Sequence, residues 1–230
     1  MKRFAWGLLI LPFGIATFYE LPALMFSLRT HIPPMIWLAA GTVAYCAFEG
    51  LFSRPMRTYV FGHELTHALA GLAVGSKIHS FKVSKKGGSV SLSKSNFFIA
   101  LAPYCIPLYT FVALALHAGF KYFYPFPYLT EAAQFLVGAT LAFHVSLTVY
   151  AIQQRQPDIH KTGLFFSSVF ILLINAWVLV ALSKILFWES VSLKHFALQT
   201  LRTQNDIWIW AAHKAYAGGL WGWSFLKARF

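Results

Sequence analysis

The chain has 230 residues, of which 58% are hydrophobic, 18% are aromatic and only 11% are charged. A soluble domain of this length has no core large enough to bury so much apolar surface, so the composition excludes that class and predicts an integral membrane protein. The net charge of +12 arises from 19 basic and 7 acidic residues. The basic residues are not interleaved with aromatic residues as in RNA-binding or DNA-binding surfaces, so we expect no nucleic-acid partner.

Apolar runs long enough to cross about 30 Å of hydrocarbon, or roughly 20 residues each, predict about six transmembrane helices in a lipid bilayer. The runs begin at Phe4, Pro33, Tyr59, Phe97, Tyr128 and Leu164. Basic residues fall mostly between or after these runs, where they would lie against anionic headgroups. They are Lys2, Arg3, Arg54, Arg57, Lys82, Lys85, Lys86, Arg155 and Lys161. The predicted fold class is an all-α polytopic membrane protein.

The first apolar run extends from Phe4 to Leu28 and follows a short basic N-terminus, as in a signal peptide. Because the apolar character continues through Leu28, we expect an uncleaved signal anchor. Pro12 and Pro22 interrupt the run, which is therefore either one kinked helix or two shorter pieces. Glu20 in this run is either a functional carboxylate or an interfacial residue.

The third run contains the sequence His63-Glu64-Leu65-Thr66-His67. On an α-helix a spacing of four residues returns to nearly the same face, so His63 and His67 can bind one metal ion while Glu64 flanks its open position. A shuffled chain of this composition produces the pattern on the order of one time in a hundred. At membrane depth each of these polar groups costs roughly 2 to 3 kcal/mol unless it is paired. The motif therefore favours a zinc site over polar residues that are satisfied within a helix bundle.

After the motif, residues 77–93 do not resemble a membrane span. Apolar and polar residues alternate around a turn at Gly87-Gly88, which predicts a β-hairpin. Such a hairpin is either a connector or an edge that accepts an extended peptide as an added strand. The fourth run, Phe97 to Phe120, contains Pro103 and Pro107, and we expect it to unwind at Ala102-Pro103-Tyr104. Freed carbonyl groups at that break should face protein or a wet cavity rather than lipid.

A catalytic zinc site usually has three protein ligands and leaves the fourth position for water. The chain contains two aspartates, Asp158 before the sixth run and Asp206 in the polar C-terminal part. Asp158 follows a proline, so it is either a ligand or the N-cap of a helix. His144 in the fifth run is the other candidate for the third ligand, unless it is a hydrogen-bonded packing residue.

These residues resemble the site-2 protease family of intramembrane zinc metallopeptidases, in particular its compact bacterial members. The resemblance covers roughly residues 61–175. It rests on the motif that begins at His63, on Gly87-Gly88-Ser89-Val90, on Ala102-Pro103-Tyr104 with Pro107, and on Asp158 with Gly163.

The resemblance implies a zinc-dependent endopeptidase of the bacterial inner membrane that hydrolyses membrane protein or peptide substrates. His63, His67 and Asp158 are then the zinc ligands, which favours Asp158 over His144. Zinc would lower the pKa of a bound water to about 7 and polarise the scissile carbonyl group. Glu64 would accept the proton of that water and pass it to the leaving amine.

Asp158 is followed by Ile159, whereas members of the family place a glycine after the corresponding aspartate. This difference favours an alternative, a non-catalytic metal-binding membrane protein, or pseudoprotease, that binds client helices. A zinc hydrolase that acts on a lipid or another small substrate is a further alternative.

The sequence predicts three regions. Residues 1–57 form N-terminal membrane helices, and residues 58–187 form a catalytic core like that of site-2 proteases, with the hairpin at 77–93. Residues 188–230 mix tryptophan with Lys, His and Gln, which is typical of an interfacial aromatic and basic tail.

Overall fold

The computed structural model describes residues 2–84, 87–154 and 156–227, with side-chain environments through residue 218. Three of the predicted connecting basic residues, Lys85, Lys86 and Arg155, lie outside the described residues. The chain divides into two compact units, residues 1–28 with 172–230, and residues 29–171. The three regions predicted from the sequence have other boundaries and stay a prediction.

The first unit contains α1 (Lys2–Ser27), most of α8 (Leu164–Leu186) and α9 (Leu193–Lys227). Helix α1 continues through Pro12 and Pro22, so the first apolar run forms one helix. Glu20 on α1 accepts a hydrogen bond of 2.6 Å from Thr203. The core of this unit consists of buried side chains from all three helices, namely Leu21, Ala176, Val180 and Phe196.

The second unit begins with a helix, a second helix that carries the motif, and a hairpin. Four further helices follow. In chain order the elements are α2 (Ile32–Leu51), α3 (Met56–Ala73), β1 (Ile78–Ser84), β2 (Gly87–Leu92), α4 (Phe97–Cys105), α5 (Leu108–Phe123), α6 (Leu129–Gln153) and α7 (Pro157–Thr162).

Helices α2 and α6 cross at two glycines. A Cβ atom on Gly41 would lie 1.9 Å from the carbonyl oxygen of Phe135, and one on Gly138 would lie 2.1 Å from that of Leu38. The hydroxyl of Thr42 donates a hydrogen bond of 3.3 Å to the Gly138 carbonyl across the crossing. Small residues allow two helix backbones to approach this closely, which is how helices associate where lipid removes the hydrophobic driving force.

Among the described residues, four helices are long and apolar enough to span a membrane, and the bent pair α4 and α5 makes a fifth if it counts as one span. The four correspond to α1, α2, α6 and α8. Helix α3 is not among them, because His63, Glu64 and His67 dilute its apolar character. The helices indicate a polytopic membrane protein, and the predicted count of six spans stays a prediction.

The predicted hairpin is confirmed, but the turn predicted at Gly87-Gly88 is wrong, because both glycines lie in strand β2. Strands β1 and β2 form an antiparallel pair in which Phe81 faces Val90 and Ser84 faces Gly87. The pair packs on α3, where a Cβ atom on Gly71 would lie 2.9 Å from Leu92 Cδ1. The hairpin therefore lies directly against the helix that carries the motif.

The fourth apolar run forms two helices that are bent by 65° relative to each other. The predicted unwinding at Ala102-Pro103-Tyr104 is wrong, because α4 is helical through Cys105. The break lies instead at Ile106 and Pro107. Proline lacks an N–H group and disfavours helical geometry in the residue before it, and Ile106 accordingly has φ −107° and ψ 108°.

Replacing Gly138 with alanine should destabilise the second unit, because the added Cβ atom meets the backbone of α2 and separates the two helices. Overpacking of this kind costs about 1–3 kcal/mol, measured as the free energy of unfolding in detergent. Gly119 on α5 is the matched control, since a Cβ atom there meets nothing within 4 Å. Equal stability of Gly138→Ala and Gly119→Ala would contradict the close crossing.

Candidate metal centre

The two histidines of the motif lie one turn apart on α3 with their Nε2 atoms facing each other at 3.2 Å. Asp158, on the short helix α7, brings its Oδ2 atom to 3.4 Å from His67 Nε2 and 3.7 Å from His63 Nε2. The tertiary structure thus brings Asp158 to two histidines that precede it by more than ninety positions in the chain. These are the residues that the resemblance named as ligands.

The geometry of this group fits a tetrahedral metal ion. Nitrogen and oxygen ligands at about 2.0–2.2 Å from one tetrahedral ion lie about 3.3–3.6 Å from each other. The three distances between ligand atoms, 3.2, 3.4 and 3.7 Å, fall around that range. The group formed by His63, His67 and Asp158 could therefore hold a metal ion.

Asp158 is positioned by Pro157 and Gly163, which begin and end α7, and by the buried residue Ile159. Pro157 occupies the first turn of α7, where its missing N–H group is not needed for a helical hydrogen bond. Gly163 ends the helix with φ +98°, a conformation that favours glycine, and α8 begins at the next residue. Ile159 anchors α7 because its side chain is only 2% exposed and its carbonyl accepts a hydrogen bond from Ser167.

Tyr104, near the end of α4, contacts both Asp158 and His63. Its hydroxyl donates a hydrogen bond of 3.4 Å to Asp158 Oδ2, and its ring meets the ring of His63 edge to face at 5.2 Å. Burial of the Asp158 carboxyl group opposes ionisation, but hydrogen bonds and charge interactions with His63 and His67 hold its pKa below the usual range. Asp158 is therefore a carboxylate at neutral pH, which is the form that binds a metal ion.

His67 is held by a carbonyl group that a proline has freed. In an α-helix the N–H of residue 103 would donate to the carbonyl of residue 99, but Pro103 has no N–H group. The Ile99 carbonyl instead lies 2.8 Å from His67 Nδ1. The carbonyl can only accept, so Nδ1 carries a hydrogen, and Nε2, which faces Asp158, is the nitrogen that a metal ion would use.

Glu64 lies beside the metal-binding group and against the hairpin. Its side chain is buried, with 8% exposure. A Cβ atom on Gly88 would lie only 2.6 Å from Glu64 Cγ, so β2 approaches the carboxylate side chain at van der Waals contact. Glycine at this position is what permits the approach.

These residues line a cleft of about 490 Å³. Its walls are α3, strand β2, the start of α4, and α7, and they include His63, Glu64, His67, Asp158 and residues 88–92.

If the third, fourth and fifth apolar runs each crossed the membrane fully, the motif and Asp158 would fall on opposite sides of the membrane. In the structure the motif and Asp158 lie together, and the pair α4 and α5, bent by 65°, is either a broken span or a re-entrant loop.

His144, the other candidate for the third ligand, is not part of the metal-binding group found among the described residues. It is buried on α6 and lines a second, smaller cavity together with His63 and Tyr59. Tyr104, the Ile99 carbonyl and Tyr59 were not predicted from the sequence to contribute to the site. Only Pro103 in the fourth apolar run could have indicated the role of the Ile99 carbonyl, because a proline inside a helix leaves the carbonyl four residues earlier without its helical donor.

Comparisons of the chain with family models, with curated proteins and with solved structures found no match. A function for the protein therefore has to be inferred from the geometry of His63, Glu64, His67 and Asp158 and from the cleft that they line.

Replacing Asp158 with alanine should weaken the binding of added zinc by more than the roughly 10–100-fold that changes to outer-shell partners cost, because it removes one of the three candidate ligand atoms. The dissociation constant can be measured by competition with a chelator. Asp206→Ala is the matched control, since Asp206 is an exposed residue of α9. Unchanged affinity in Asp158→Ala would exclude Asp158 as a ligand.

Replacing Pro103 with alanine should also weaken zinc binding, by about 10-fold, at the lower end of the range for outer-shell changes. The new N–H group at position 103 competes with His67 Nδ1 for the Ile99 carbonyl. Pro12→Ala in α1 is the control, since Pro12 is also a proline inside a helix. A zinc affinity equal to that of the wild type would contradict this competition, since the Ile99 carbonyl would then accept hydrogen bonds from both His67 Nδ1 and the new N–H group.

Proposed function

We propose that the protein is a zinc-dependent endopeptidase that hydrolyses peptide bonds of membrane-associated substrates. The observation that carries the proposal is the arrangement of His63, His67 and Asp158 with their ligand atoms 3.2–3.7 Å apart, beside the buried carboxylate of Glu64. Two imidazoles and one carboxylate are a donor set of catalytic zinc sites in peptidases, where the fourth position is left for water.

Glu64 is the general base of the proposed reaction. Zinc bound at this site would lower the pKa of a water molecule to about 7 and polarise the scissile carbonyl group. Glu64 accepts a proton from the attacking water and delivers it to the amine that leaves. Strand β2 holds the Glu64 side chain in place, because Gly88 lies against Cγ.

The substrate is an extended peptide segment rather than an intact helix. Residues 88–92 of β2 line the same cleft as the metal-binding group. In the described residues β2 pairs with β1 alone, so its other edge is available for a further strand. Strand addition supplies main-chain hydrogen bonds to a segment of any sequence, while a helix hides its peptide groups from attack.

The substrates are membrane proteins or peptides, and the enzyme acts in a bacterial cell membrane. The apolar helices α1, α2, α6 and α8 support the membrane location. The bacterial assignment depends on the resemblance to the compact bacterial site-2 proteases. We expect no nucleic-acid substrate.

A metal-binding pseudoprotease that binds client helices is the second candidate. The residue after Asp158 favours the pseudoprotease, because this chain has Ile159 where the family has a glycine. The Ile159 side chain is buried, with 2% exposure. A wild-type protein that binds zinc but cleaves none of the probes below would favour this candidate over the peptidase.

Glu64→Gln should retain zinc, because Glu64 is not a member of the ligand group, and should lower the cleavage rate by about 10²- to 10⁴-fold, the contribution of a general base. The measurements are the zinc content of the purified protein and the hydrolysis of fluorogenic apolar peptides in detergent micelles.

Glu131→Gln is the matched control, since Glu131 lies in the first turn of α6 and lines neither the cleft nor the smaller cavity. Cleavage by Glu64→Gln at the wild-type rate, with zinc bound, would remove Glu64 from the mechanism.

A further inference from the structure

The two motif histidines differ in how their second ring nitrogens are held. His67 Nδ1 lies 2.8 Å from the Ile99 carbonyl. His63 Nδ1 is buried and has no hydrogen-bond partner among the described residues, and the same is true of the Tyr59 hydroxyl one turn earlier on α3. A buried donor without a partner costs about 1–3 kcal/mol, so two such atoms in one helix turn call for an explanation.

Both residues line one small cavity. It has a volume of about 30 Å³ and lies between α3, the break after α4, and α6. The ring of His63 lines both this cavity and the cleft. Since Nε2 faces Asp158 in the cleft, Nδ1 lies on the opposite edge of the ring.

The cavity has the size and the polarity that a buried water requires. One water needs roughly 10–15 Å³ of such volume and two to four polar partners. Besides Tyr59 and His63, the lining includes His144 and Thr148 of α6, both of them buried. The hydroxyl of Thr66, also in the lining, donates to the Gly62 carbonyl at 2.7 Å, and its oxygen can still accept a hydrogen bond.

We propose that this cavity is a binding site for an ordered water that links His63 Nδ1 to His144, and that His144 is a positioning residue for the metal centre. The water accepts hydrogen bonds from the Nδ1–H of His63 and from the Tyr59 hydroxyl, and it donates one to the imidazole of His144. His63 then has the same tautomer as His67, with the Nε2 lone pair directed at the metal site. The inference rests on the metal centre of the proposed function.

This assignment gives the buried histidine of α6 a role other than ligation. Metal-binding histidines almost always donate their second N–H group to a carboxylate, a carbonyl or a water, and these partners fix the orientation of the ring. For His67 the partner is the Ile99 carbonyl. For His63 it is a water that α6 holds. The two histidine rings of α3 are therefore oriented by different elements, the His67 ring by α4 and the His63 ring by α6.

The first test compares His144→Leu, His144→Gln and His117→Leu by chelator competition for zinc. His144→Leu should raise the zinc dissociation constant by about 10–100-fold, the usual effect of losing an outer-shell partner. His144→Gln keeps a polar group toward the water and should recover most of the affinity. His117→Leu is the control, because His117 lies on α5 and contacts Thr130 instead.

Wild-type affinity in His144→Leu would overturn the proposal. So would equal weakening in the leucine and glutamine variants, since that result indicates a packing role. Thermal unfolding without zinc identifies any variant that has failed to fold, and Tyr59→Phe then provides a smaller change at the same cavity, with an expected weakening of zinc affinity of several-fold.

The second test is independent of zinc and of catalysis. A high-resolution experimental structure of the zinc-free wild type should contain a water within hydrogen-bonding distance of His63 Nδ1 and the His144 ring, and a dry cavity would overturn the proposal. If the wild type binds zinc and cleaves no peptide, the peptidase assignment fails while these affinities and this water still decide the role of His144.

Discussion

The close approach of Asp158 to two imidazoles is the interaction on which the rest of the second unit depends. The three side chains come from α3 and from the short helix α7, and each ligand atom lies 3.2–3.7 Å from the others. Polar groups of this kind are costly beside apolar helices unless each has a partner. The surrounding structure supplies a partner for Asp158 at Tyr104 and one for His67 at the Ile99 carbonyl.

Two prolines in the fourth apolar run supply the backbone groups and the bend that the site needs. Pro103 leaves α4 intact but frees the Ile99 carbonyl, which then holds His67. Pro107 ends the helix and sets the 65° bend between α4 and α5. One residue type therefore orients a ligand at one position and redirects the chain four residues later, because proline both lacks a donor and restricts the preceding residue.

Glycines allow the close contacts that enclose the site. Gly88 brings β2 against Glu64, while Gly41 and Gly138 let α2 and α6 cross at backbone contact. Helix α6 also carries His144, which faces the cavity next to His63. Helix α6 thus connects its crossing with α2 to the candidate metal centre, so a change in helix packing can alter the orientation of His63.

The sequence by itself determined the local features. The spacing of four residues placed His63 and His67 on one helical face, the alternation around Gly87-Gly88 predicted the hairpin, and the composition indicated membrane helices. These signals are local because helix and strand periodicity depend on neighbouring residues. Only the tertiary structure decided which distant groups meet, since that depends on how the chain bends. It brought Asp158 rather than His144 to the imidazoles, placed the helix break at Ile106 and Pro107, and gave His67 a carbonyl partner 32 residues away.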